Sequence, residues 1–313
     1  MPKVRVSQDV ELTYESFGEG EPLLLIMGIG AQMVVWDEEF CRMLAARGFR
    51  VIRFDNRDVG ESTRLDALGT PNVLEVLRRR FTGRKVRAPY TLDDMADDTV
   101  GLMNALGIDR AHLVGLSLGG MIAQCTALRH PERVRSLAIM MSGPGELWAS
   151  LPTFAALRAL TTRPPKGREG AIEHFVQAWS TVGFAQHGTP RDRLRKLGAL
   201  QYDRGISPRG FARQFAAILA APSRTRALAQ LRVPTLVIHG ANDPLIPPLA
   251  GRLTAARIPD ARLMVIEGLA HDLGPTAWGY TIDALTENAQ RRLAPAPRQL
   301  GFVRALLQPA IKI

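Results

Sequence analysis

A chain of 313 residues, 46% hydrophobic and 22% charged, can bury a substantial core and is neither disordered nor fibrous in composition. No apolar run approaches the ~20 residues that cross a bilayer. The polar start Met1-Pro2-Lys3-Val4-Arg5 leads into no apolar signal segment, so a cytoplasmic protein without an integral membrane span is expected.

Strand-like and helix-like segments alternate along the first half. Val10 to Tyr14 reads as a strand, and Pro22 to Met27 is a continuous apolar run of the kind buried on both faces of a sheet. Trp36 to Arg47 has helical periodicity and stops at Gly48, and Val51 to Phe54 is another short strand. Residues 65 to 90 form a short Arg-rich insertion. Thr91 to Leu106 is helical, with Thr91 and Asp94 spaced as a capping box and Gly107 as terminator. Ala111 to Gly115 is a strand, Leu118 to Arg129 a helix closed by His130-Pro131, and Leu137 to Met141 a strand.

Near Gly143 the pattern changes. Pro and Gly punctuate short helical pieces up to about Leu231, with no convincing buried strand. Alternation resumes with strand Thr235 to His239, a helix around Leu249 to Arg257, strand Arg262 to Ile266 and a last helix from Trp278 to Leu293. The simplest account is an α/β fold with a mostly parallel sheet flanked by helices. Its core spans residues 1–142 and 232–293, an inserted helical cap spans 143–231, and 294–313 is an extension, either a docked helix or a frayed tail.

The formal charge of +10 is concentrated. Leu151 to Arg232 holds 14 basic against 4 acidic residues, and Asn288 to the end holds five basic and none acidic. The charge therefore belongs to the insertion and the tail rather than to a nucleic-acid groove, and no nucleic-acid partner is expected. A solvated basic surface is the plainer reading of those arginines, with peripheral lipid contact left open. The two cysteines, Cys41 and Cys125, both fall in helices and read as core residues. No metal and no cofactor is expected.

The chemistry-bearing residues sit at strand ends. Gly115-Leu116-Ser117-Leu118-Gly119 follows one strand and opens a helix, the strand–turn–helix setting of a nucleophile elbow. Gly115 and Gly119 permit the tight turn that leaves Ser117 strained and exposed. A serine hydroxyl needs a histidine to take its proton and an acid to orient that histidine. Asp243, in Gly240-Ala241-Asn242-Asp243-Pro244, follows one buried strand, and His271, in Gly268-Leu269-Ala270-His271-Asp272, follows the next. Both emerge at one edge of the sheet, in the chain order Ser, Asp, His. Oxyanion donors are assigned to the amides of Leu118 and of Ile29, the latter in the Met27-Gly28-Ile29-Gly30 turn, with Gly28 a supporting residue. Among the other histidines, His239 closes a strand and could orient the acid loop.

On these motifs the chain resembles the α/β-hydrolase superfamily over roughly residues 10 to 293. Arg53-Phe54-Asp55-Asn56-Arg57-Asp58-Val59-Gly60-Glu61-Ser62-Thr63 is similar to the family's D-x-R-G-x-G-x-S loop, departing from it at Asp58, where glycine is usual. Together with Met27-Gly28-x-Gly30 and Gly115-Leu116-Ser117-Leu118-Gly119-Gly120, it looks closest to bacterial carboxylesterases and aclacinomycin-type methyl esterases. The resemblance implies a Ser117–Asp243–His271 triad under a cap but does not set the substrate; carboxylic-ester hydrolysis through an acyl-enzyme is the leading expectation, and the insertion's aromatics lean it toward hydrophobic esters of small to medium size. Perhydrolase or cofactor-free haloperoxidase activity and C–C or lactone hydrolysis would use the same triad. A non-hydrolytic ligand-binding protein of the same fold is the remote alternative. The insertion's aromatics, Trp148, Phe154, Phe175, Trp179, Phe184, Phe211 and Phe215, read mostly as the cap's own core, and Met140 and Met141 are placed to face an acyl group. The oligomeric state is not legible.

Overall fold

A computed structural model of the chain describes residues 1–183, 186–292 and 311–312. The sheet strands are β1 (Lys3–Arg5), β2 (Glu11–Phe17), β3 (Glu21–Ile26), β4 (Phe49–Phe54), β5 (Ala111–Leu116), β6 (Val134–Met140), β7 (Thr235–Gly240), β8 (Arg262–Ile266) and β9 (Ile311–Lys312). They lie in the order β1-β2-β4-β3-β5-β6-β7-β8-β9. β1 and β2 are antiparallel and everything from β4 onward is parallel. From β3 the chain crosses to β4 on one side and to β5 on the other. The carboxyl ends of β3 and β5 therefore flank a topological switch point, where open α/β sheets bind ligands.

The central strands explain themselves. Residues Leu23 to Ile26, all of β5 and all of β7 are buried, as mainly apolar strands covered by helices on both faces should be; the polar exceptions His112, Thr235 and His239 each find a hydrogen-bond partner. One face packs α3 (Leu92–Ala105), α4 (Leu118–Arg129) and α10 (Pro248–Arg257), and the other packs α1 (Glu38–Ala45) and α11 (Trp278–Gln290). Thr91 caps α3 in the expected reciprocal box with Asp94. Of the short Arg-rich insertion, Val73–Phe81 forms α2, capped by Asn72. Both cysteines are buried and free, and burial pushes their thiols up to about 12 and about 11, as for core residues.

His112, near the amino end of β5, is a buried structural residue. Its Nε2 lies 3.1 Å from the Glu21 carboxylate, which can only accept, so Nδ1 accepts from Ser136 Oγ at 2.8 Å. Burial holds its pKa below the ordinary value of 6.5, outweighing the Glu21 charge that raises it. A base whose pKa is depressed on folding contributes stability that is present above its unfolded pKa and lost as pH falls through that value. The wild type should therefore lose melting temperature below about pH 6.5 more steeply than His112→Gln does. Parallel melting curves for the two between pH 7 and pH 5 would exclude this role.

Between β6 and β7 the described chain is helical: α5 (Phe154–Thr161), α6 (Arg168–Gly183), α7 (Arg191–Arg204), α8 (Pro208–Ala220) and α9 (Thr225–Leu228). This insert is bolted to the core by ion pairs, which corrects the expectation of a merely solvated basic surface. Arg213, fully buried in α8, makes a bidentate pair with the fully buried Asp58 at 2.6 and 2.8 Å and reaches Asp66 at 3.0 Å. Arg204 pairs with Asp55 and Glu61, and Arg193 with Asp37 and Glu39. Others, such as Arg168 with Asp203, pair within the insert. The aromatics divide as well. Phe175 stacks on Trp179 and Phe211 on Phe215, but Trp148 and Phe154 are 61% and 81% exposed, so they are not cap core. Phe184 lies outside the described residues. So does most of the extension; its Ile311–Lys312 pairs with β8 as a parallel edge strand. No described helix is long and apolar enough to cross a membrane.

Candidate active site

Ser117 is the hinge between β5 and α4. Its backbone sits at φ +56°, ψ −118°, a conformation that costs a non-glycine residue about 1–3 kcal/mol. The surroundings enforce it: the Ser117 amide donates to Met140 O at 2.9 Å, and Ser142 Oγ donates to Ser117 O at 2.7 Å. The glycines around it are required by close approach. A Cβ on Gly119 would strike the carbonyl oxygen of Ile26, and one on Gly115 would strike the backbone of Gly119. The α4 amino end and the β3 carboxyl end therefore touch backbone to backbone, which brings the loop after β3 against the elbow.

That loop forms a turn closed by the Ala31 amide on Gly28 O, with Gly30 at φ +63°. A Cβ on Gly28 would lie 3.2 Å from Ser117 Cβ. The Ile29 amide has no protein acceptor among the described residues. The Leu118 amide begins α4, and the first amides of a helix lack intrahelical acceptors. Two free N–H donors thus lie on the two loops that flank Ser117, as an oxyanion site needs.

The other two residues come from neighbouring strands. His271 Nδ1 lies 2.7 Å from Asp243 Oδ2. A carboxylate accepts, so Nδ1 carries the proton and Nε2 is left as the basic nitrogen. Asp243 Oδ1 accepts from the Leu245 and Ile246 amides, both at 2.9 Å. Burial alone would raise the Asp243 pKa, but the His271 charge and bonds from His239 and His271 hold it far below the usual carboxylate range. His239 Nε2 donates to Ile246 O at 2.8 Å and lies 3.5 Å from Asp243 Oδ2, so it props the acid loop. Ser117 Oγ makes no hydrogen bond to the His271 ring among the described residues; catalytic bonds of this kind often tighten only with substrate bound.

The insert contributes to this site in ways the sequence did not signal. Val182, His187 and Thr189 are sewn to the histidine loop. His271 N donates to Val182 O, His187 N to Gly268 O, Thr189 N to Asp272 Oδ2 and Gly274 N to His187 O, all within 2.7–3.1 Å. Nothing local marks these residues; their partners are roughly 80 positions away. Gln214 and Arg213 left a faint trace, two adjacent polar residues inside the otherwise apolar Phe211 to Ala220 run. Met140 and Met141, expected to face an acyl group, are wholly buried in the sheet core instead, because β6 lies between covered strands. A pocket reaching His271, Leu116 and Met27 is walled by Trp36, Phe40, Trp179, Leu197, Leu273 and Trp278. Arg193 at its edge is already paired with Asp37 and Glu39 and lies over the Trp278 ring at 4.8 Å. Among the described residues, no cluster of three or more His, Cys, Asp or Glu could hold a metal.

The family described as "alpha/beta hydrolase fold" matches residues 21–276. Rhodomycin D methylesterase DauP of Streptomyces sp. (strain C5) is 31% identical over 303 residues, covering 87% of this chain and 93% of that protein. The putative carbamate hydrolase RutD of Azorhizobium caulinodans is 30% identical over 269 residues, covering 84% and 89%. Among solved structures, the meta-cleavage product hydrolase CumD from Pseudomonas fluorescens IP01 superposes with a TM-score of 0.69 over 92% of this chain and 97% of its own, at 23% identity.

Proposed function

Because this chain belongs to the α/β-hydrolase family, an ester-hydrolysing enzyme of that fold, we propose that it cleaves carboxylic esters through an acyl-enzyme on Ser117. The observation that carries the reading is the short His271–Asp243 bond, which leaves Nε2 basic at the sheet edge where the strained Ser117 stands. His271 Nε2 takes the Ser117 hydroxyl proton as Oγ bonds the ester carbonyl carbon. The Ile29 and Leu118 amides hold the oxygen that becomes negative. Collapse breaks the bond to the alcohol, which leaves with the proton from His271. Water, deprotonated by the same nitrogen, then releases the acid and restores Ser117.

The likeness to a methylesterase over 87% of this chain and 93% of that protein supports an ester substrate. In this reading residues 143–231 serve as the cap. The aromatic wall beside His271 supports an apolar group on the ester. Arg193, which lines it, already has two carboxylate partners, which favours neutral esters over carboxylated ones. An ester panel varying acyl and alcohol size should show a higher kcat/KM, by about tenfold or more, for aromatic esters than for equally long anionic ones. Labelling by a fluorophosphonate should require Ser117. Preference for the anionic esters would overturn the substrate reading, and labelling elsewhere would overturn the nucleophile.

A further inference from the structure

We propose that Gln214, on α8 of the insert, is a positioning residue that sets the Ile29 oxyanion donor; this rests on the ester-hydrolase reading above. The peptide carrying the Ile29 N–H lies between two peptides that are each pinned from outside the loop. On one side, Asn56 Nδ2 donates to Met27 O at 2.9 Å. On the other, Gly30 N donates to Gln214 Oε1 at 2.8 Å. The Gln214 amide group is itself fixed, because its Nε2 donates to Arg57 O at 2.9 Å.

The residue type matters. Gly30 presents a donor and Arg57 an acceptor, so the buried side chain between them must accept at one atom and donate at the other. A primary amide does both without charge; a carboxylate cannot donate and an aliphatic chain can do neither. Gln214 is wholly buried, so water is a poor substitute for either bond. The same helix fits its surroundings closely. A Cβ on Gly30 would lie 2.9 Å from Phe211 Cδ2, and one on Gly210 would strike Asp58 O. Arg213 next door is clamped on Asp58. The insert therefore shapes the turn that stabilises the developing charge, besides covering the substrate.

The test compares wild type with Gln214→Met, which keeps length and loses both hydrogen bonds. Melting temperature is monitored throughout. The expected result is a fall in kcat of about 10- to 100-fold, below the ~100- to 1000-fold loss for outright removal of an oxyanion donor, with KM changed less than twofold. A trifluoromethyl ketone adds Ser117 Oγ to its carbonyl carbon and so presents an oxyanion; its inhibition constant should weaken by the same factor as kcat/KM. The inhibition constant of the uncleavable ether analogue of the substrate should not move. Should the ether and the ketone weaken together, or kcat stay unchanged, Gln214 merely holds the insert and the positioning role is overturned. Should Gln214→Met fail to fold, Gln214→Glu decides. Its protonated form can both accept and donate, so its kcat relative to wild type should rise toward acid pH, and a flat ratio overturns the role. Ser117→Ala, run alongside, separates the two readings. If it retains turnover, ester hydrolysis through Ser117 falls and the oxyanion role falls with it. If it is inactive while Gln214→Met is fully active, only the Gln214 role is lost.

Discussion

Ser117→Ala should lower ester turnover by roughly 10⁴- to 10⁶-fold, and His271→Ala by a similar factor, while the double variant loses little more than either alone. The non-additivity follows from the geometry proposed for the site. The hydroxyl is a nucleophile only when a base takes its proton, and the base acts only on that hydroxyl. What remains is supplied by substrate binding and by the Ile29 and Leu118 amides. Both variants should stay folded. Ser117 occupies a positive-φ position that alanine enters with comparable strain, and the Ser117 Oγ makes no hydrogen bond within the described structure. Steady-state turnover with a chromogenic ester, together with melting curves, checks this. Activity within tenfold of wild type in either single variant would remove the residue from the mechanism.

The largest effect on stability is expected at Arg213. Its guanidinium and the Asp58 carboxylate are both fully buried, and Asp58 holds the arginine well above its ordinary pKa. Removing one member leaves an unpaired buried charge, which costs about 3–5 kcal/mol; Arg213→Met should be destabilised by that amount in a denaturant melt. Asp58 also sits at φ +72°, where glycine is at ease and an L side chain is not. The double variant Asp58→Gly/Arg213→Met removes both charges and the strain together, and should recover more than about half of the loss, since replacing a buried pair by apolar groups is often near neutral. If the double variant were instead as unstable as the sum of the singles, the two residues would not be acting as a pair. Asp58 thus has an account that the resembled loop lacks: the side chain replacing a glycine is tolerated because a specific arginine, 155 positions later, neutralises it.

The core elements and the candidate residues were legible because each is encoded locally. Short, mostly apolar segments marked β3, β5, β7 and β8, and Gly115-x-Ser117-x-Gly119, Asp243 and His271 each follow such a segment by only a few positions. Boundaries shifted by a few residues: the helix expected from Trp36 begins at Glu38, after a short 3₁₀ turn over Met33–Val35. The last helix ends at Gln290, short of the expected Leu293, which lies outside the described residues. The short strand Lys3–Arg5 went unseen, since three alternating residues carry too little pattern. The insert resisted for a different reason. Its defining contacts, Arg213 to Asp58, Gln214 to Gly30 and Gln201 to Gln32, join residues 155, 184 and 169 positions apart. A polar side chain buried by a distant partner looks, in sequence, like any exposed one.

The stitching of Val182, His187 and Thr189 to the loop bearing His271 bears on how such an enzyme could be re-engineered or diversify. Exchanging the whole insert for a foreign one, as a way to change substrate choice, would cut the backbone bond from His271 N to Val182 O and the Asp272 bond to Thr189. The chimera would then lose support for the proposed base, His271, as well as its old specificity. The exposed Phe154 side chain has no part in that seam, although the Thr153 amide beside it donates to Pro244 O at 2.8 Å in the acid loop. Substrate range is thus more readily retuned piecemeal, from the outer helices inward, than by transplanting the insert as a module.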